Sequence, residues 1–164
     1  MTAPTYWVNS DGLTVRFGPH EAFDNTASQV VTAGAEQMLV MDITASTIGA
    51  TAAPGDIANS AMIPANSYVI SAVLIANTDW ASDGSAVLDV GFCDKDGTDL
   101  NDDALIAGLA VASITADSVT AGAGASVGAV VTANSFVYAT YDTAAFTAGD
   151  GRLVIRYIKQ PDLF

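Results

Sequence analysis

Five carboxylates fall within ten residues between Asp94 and Asp103 of this 164-residue chain. No other stretch comes as near to a chemical purpose by type and spacing. Calcium is a hard cation that takes oxygen ligands from alternate positions of a tight loop, and Asp94, Asp96 and Asp99 stand where they could supply them. The spacing departs from an EF-hand, however, because Gly97 comes at the fourth place of the loop and no glutamate occupies the twelfth. The segment is therefore read as a solvated turn leading into a short helix, Asp103–Leu109, capped by Asn101 or Asp102. No metal and no cofactor are expected.

The remaining reactive side chains are isolated. His20 is the single histidine, without a Gly-x-Ser-x-Gly elbow or a second ligand at metal spacing, so neither a hydrolase triad nor a zinc site can be assembled around it. Cys93 is the single cysteine and is read as a small buried hydrophobe. No Gly-rich phosphate loop occurs, and the aspartates gather in turn-like segments where a glycosidase carboxylate pair finds no strand to sit on. The chain is not expected to be an enzyme. Trp7, Trp80 and the tyrosines could build a stacking platform for a sugar, but they are scattered along the chain, so each is read as core or interface.

Composition narrows the partners. Five basic residues against 18 acidic ones give a net charge of −13, which repels phosphate backbones and anionic headgroups, so nucleic acid and membrane are not expected as partners. Charged residues make up only 14% of the chain and apolar ones 51%. A surface dominated by Ala, Thr, Ser and Gly suits a subunit whose exterior is largely covered by neighbours. The N-terminal residues lack the basic and apolar stretches of a secretory signal, and no run reaches transmembrane length.

The elements that must position these groups read as strands throughout, giving an all-β, antiparallel sandwich with at most one short helix. Tyr6–Phe17 predicts a hairpin turning at Asn9–Gly12, with Leu13, Val15 and Phe17 on one face. Residues 35–46 alternate, with Leu39, Met41 and Ile43 inward. Residues 46–62 read as loop without the bulk to anchor a core. The two strongest strand signals, Tyr68–Ile75 and Ser85–Cys93, predict a central hairpin turning at Trp80–Gly84. In its second arm Ala86, Leu88, Val90 and Phe92 face the core. Its first arm is apolar on both faces, with Tyr68, Ile70, Ala72 and Leu74 on one and Val69, Val73 and Ile75 on the other, so the second face requires a partner. Ala121–Ala125 reads as a mobile loop. Phe136–Tyr141 and Arg152–Ile158 are further strands, the latter with Leu153, Ile155 and Tyr157 inward. Three of the five basic residues, Arg152, Arg156 and Lys159, mark this last strand as a contact stripe or a source of internal charge balance.

Three segments, Asp11–Gly18, Ile63–Ile70 running on through Val90–Gly97, and Gly151–Ile158, resemble the small head decoration, or cement, proteins of tailed bacteriophages. The resemblance implies a β-sandwich of jelly-roll type, assembled as a homotrimer on the exterior of the virion head, bound to the major capsid protein and stabilising the shell. On that reading residues 1–18 form an attachment arm and residues 19–164 the sandwich. The expected contact residues are Tyr6, Trp7, Leu13, Val15 and Phe17 of the arm, with Val69, Val73 and Ile75 of the two-faced strand. A head-fibre or receptor-binding, carbohydrate-binding module is the alternative.

Overall fold

The computed structural model describes residues 6–8, 14–16, 36–50 and 62–159. The chain divides into two units, Met1–Val31 and Thr32–Phe164. In the first, β1 (Tyr6–Val8) pairs antiparallel with β2 (Thr14–Arg16), placing Trp7 opposite Val15. Leu13 and Phe17 lie outside the described residues.

The second unit is all-β. Among its described residues the only helical pieces are two three-residue 3-10 turns, Ala45–Thr47 and Val111–Ser113. One sheet is centred on β13 (Asp150–Lys159), which lies between β3 (Glu36–Thr44) and β5 (Ser67–Ala76). Two short strands, β9 (Val119–Ala121) and β10 (Val130–Val131), extend it beyond β5. The other sheet runs β4 (Met62–Ile63), β11 (Ser135–Asp142), β7 (Val87–Cys93), β8 (Asp99–Ala110). A small ribbon joins β6 (Ala81–Ser82) to β12 (Phe146–Ala148). Every strand pair is antiparallel.

The two larger sheets face one another across a shared core. Leu39, Ile43, Leu74, Leu153 and Ile155 come from the first, and Leu88, Val90, Phe92, Leu105 and Val137 from the second. The expected inward faces of β3, β7 and β13 are those observed. The expected central hairpin is not. Tyr68–Ile75 and Val87–Cys93 lie in opposite sheets, because the intervening residues leave β5 to build β6 and the corner around Trp80. That side chain is buried edge-on against Phe146, with ring centroids 4.9 Å apart, and its Nε1 donates to the Asp150 carbonyl. Gly149 makes the corner possible, since its φ of +145° is open only to glycine and a side chain there would overlap the Trp80 indole.

Three further segments differ from their sequence pattern. Ile48, in the expected loop, is buried in the core, and Gly49 accepts a hydrogen bond from the Tyr141 N–H of the opposite sheet. Asp103–Leu109 is strand, not helix: β8 meets β7 through three register shifts, so Ala104, Leu105 and Ile106 are buried in succession and the alternation of a strand is lost. The Ala/Gly stretch expected to be mobile is tied between the sheets. Gly122 N–H donates to the Ala72 carbonyl of β5, and Gly124 and Ser126 donate to Leu105 and Ala104 of β8. The backbones approach so closely that a side chain on Gly122 or Gly124 would collide with the β8 carbonyls. The small residues that look like a flexible linker are what this approach requires.

Candidate functional site

The aspartate loop is a built turn. The Asp94 Oδ1 accepts from the Asp96 and Thr98 backbone N–H groups at 2.9 and 2.8 Å, and the Asp94 N–H donates to the Thr98 carbonyl, closing the connection between β7 and β8 around Gly97 at φ +83°. Those donors hold the Asp94 carboxyl below its ordinary range. Asp96 pairs with Lys95 at 2.7 Å, and Asp99 accepts from the Tyr138 hydroxyl at 2.7 Å. Burial, and then that bond, push the Tyr138 hydroxyl far above its usual value. The three candidate ligands are thus each engaged by a different partner, and among the described residues no group of three or more His, Cys, Asp or Glu is placed to hold a metal ion. Cys93 is buried beside Tyr138, its thiol pushed up by burial.

The outward face of the β7–β8–β11 sheet is acidic. Asp89, on β7, accepts from the Gly108 N–H at 2.6 Å, and its carboxyl is raised first by burial and then by the neighbouring charges of Asp102, Asp103 and Asp142.

The outward face of the β3–β13–β5 sheet has the opposite character. Residues directly opposed in antiparallel strands share a face, so the register sets Val40, Val154, Val73 and Ala121 in one row across four strands. The next row is Asp42, Arg152, Ile75 and Val119, and Tyr68 stands opposite both Ile158 and Val130 farther along. Much of this apolar surface is open to water: Met38 is 66% exposed, Val40 46% and Val119 67%. Two ion pairs cross it, Arg152 Nε with Asp42 Oδ1 at 2.8 Å and Arg156 with Glu36. The two arginines of the terminal strand therefore balance acids of β3. Cross-strand pairing to the arginine lowers the Glu36 carboxyl and raises Arg156.

A bulge decides which residues of β5 reach this face. Tyr157 pairs with Val69 and Arg156 with Ser71, so Ile70 is the extra residue and the alternation inverts around it. Val69 is fully buried in the chain's own core with Ala72 and Leu74, whereas Val73 and Ile75 remain half-buried on the outward side. Of the three contact residues expected on this strand, Val73 and Ile75 lie on the outward face and Val69 lies in the core. Met38, Val40, Val119 and Val154, which complete the face, escaped the reading of the sequence. Their signal was Val154, on the same side of β13 as Arg152 and Arg156, and the apolar positions Met38 and Val40 on the outward side of β3. Trp80, a candidate for sugar stacking, is enclosed at the corner of the sandwich.

No known family model and no curated protein matches the chain. Among solved structures, it is similar to a chain in the acidic stable capsid structure of Helicobacter pylori bacteriophage KHP30, with 16% identity over 76% of this chain and 88% of that chain and a TM-score of 0.49. It is similar also to a chain in the capsid of Ralstonia phage GP4, with 18% identity over 84% of this chain and 93% of that one and a TM-score of 0.47.

Proposed function

We propose that this chain is a structural subunit of a tailed-phage virion: a homotrimeric decoration protein of jelly-roll type that binds the major capsid protein on the outside of the head and stabilises the shell. It acts without catalysis and without a cofactor. The observation that carries this reading is the sheet β3–β13–β5, whose outward face exposes Met38, Val40, Tyr68 and Val119 beside two ion pairs although the chain's own core lies on the other face. An exposed apolar sheet face is unfavourable for a free monomer and ordinary for a subunit. The segments that resemble decoration proteins name the assembly. The net charge of −13 fits an exterior position, where the surface is kept away from packaged nucleic acid and from other particles.

In this reading the N-terminal hairpin is the attachment arm, with Tyr6 and Trp7 as its anchors. Large aromatic side chains are suited to filling pockets on a partner. The test is to mix the purified protein with heads that lack it and sediment the particles. Saturable binding in multiples of three copies is expected. Heads that stay bare at protein concentrations of tens of micromolar would rule the reading out.

A further inference from the structure

We infer that the outward face of β3–β13–β5 is a contact between copies of this chain, with the row Val40, Val154 and Val73 at its centre. The inference rests on the reading of the chain as an assembly subunit and names which partner covers this face. Its charge distribution argues for a second copy. The chain as a whole carries −13, so two copies repel each other over most of their surface. On this face two arginines offset two acids within contact pairs, and the repulsion is locally cancelled. A basic partner would instead be drawn to the opposite sheet, where Asp89, Asp102, Asp103 and Asp142 lie together.

Size agrees with this assignment. With strands about 4.8 Å apart and a rise of ~3.3 Å per residue, three strands as long as β3 with the short β9 beside them span on the order of 500 Å² in projection. That is the scale of the smaller specific interfaces, below the roughly 800 Å² per partner of a standard one. The arginines contribute a further condition. Each is already satisfied by a carboxylate of its own chain, so covering them does not strand an unpaired charge.

The test is sedimentation velocity of the full chain at micromolar concentration, alone and with the double substitution Val40→Lys and Val119→Lys. Both positions are exposed on this face, and an unchanged near-ultraviolet circular dichroism spectrum reports that the fold is kept. The wild type is expected to sediment as an oligomer, and the double variant to associate at least tenfold more weakly. A monomeric wild type, or an oligomer that both lysines leave intact, overturns the inference. A wild-type monomer that still binds heads does so as well, and leaves of the decoration reading the attachment to the head without the homotrimer. An oligomer dissolved by the lysines but indifferent to heads supports the inference and overturns that reading.

Discussion

Val154 stands directly between Val40 and Val73 on the outward side of the first sheet, each pair in register across its strand boundary. One residue along the same strands, Leu153 faces inward and is fully buried. The sheet therefore separates two kinds of apolar contact, one that holds the chain together and one that is open to a neighbour. Substitutions on its two sides should have separable effects. Leu74→Ala removes a fully buried side chain and is expected to destabilise the fold by about 3 kcal/mol. Val73→Asp is expected to abolish association while leaving a folded monomer. Urea unfolding and light scattering distinguish them.

The bulge at Ile70 makes a sharper comparison within one strand. Val69→Ala should cost roughly 2 kcal/mol in urea unfolding, because two methyl groups leave a closed core. Ile70→Ala should cost clearly less, since that side chain is only half-buried. A larger cost at Ile70 than at Val69 would show that the alternation runs through the bulge without inverting.

At the corner of the sandwich, Gly149→Ala is expected to lose roughly 3 kcal/mol or more, combining a disfavoured φ with overlap on Trp80. That corresponds to a fall in Tm on the order of 10 °C for a chain of this size. Tryptophan fluorescence should shift to longer wavelength as the ring loses its packing.

Two aspartates should respond to pH with opposite sign. The folded state holds Asp94 below its ordinary carboxylate value, so its stabilisation is present above the unfolded pKa and is lost as pH falls through the folded one. Asp94→Asn should flatten the acid limb of a Tm profile. The folded state raises Asp89, so its stabilisation is present at low pH and lost as pH rises through the folded value. Asp89→Asn should raise Tm at neutral pH, with the gain fading below the carboxylate range, and the Gly108 hydrogen bond can pass to the amide oxygen. Calcium and EDTA are expected to leave Tm unchanged, because Asp94, Asp96 and Asp99 are engaged separately. A rise of several degrees with calcium would show a ligand bound only by the folded chain.

Removing residues 1–18 is expected to leave a folded β-protein that no longer decorates heads. Binding at wild-type occupancy would show that the hairpin β1–β2 is not the arm.

The strands that could be read from the sequence were those that take no extra residue themselves, the bulges lying in their neighbours β5 and β8. β3 and β13 keep register over their whole length, so Leu39, Ile43, Leu153 and Ile155 alternate cleanly. The apolar second face of β5 was legible as well, although the bulge moved Val69 from that face into the core. β8 was not, because its register shifts bury Ala104–Ile106 together and mimic the start of an apolar helix face. The order of the strands was hidden for a different reason. Trp80 looks like part of a hairpin turn, and only its packing on Phe146, a residue distant in sequence, carries the chain to the other sheet. Gly122 and Gly124 read as slack because composition does not reveal a close approach of backbones.

The most direct test of the decoration reading is the temperature at which DNA-filled heads release their genome, measured with and without added protein by a DNA-binding dye. Heads carrying the wild-type protein are expected to release DNA at a higher temperature than bare heads, and heads incubated with the protein lacking residues 1–18 at the temperature of bare ones. Full occupancy by the wild type with no change in the release temperature would contradict a role in stabilising the shell.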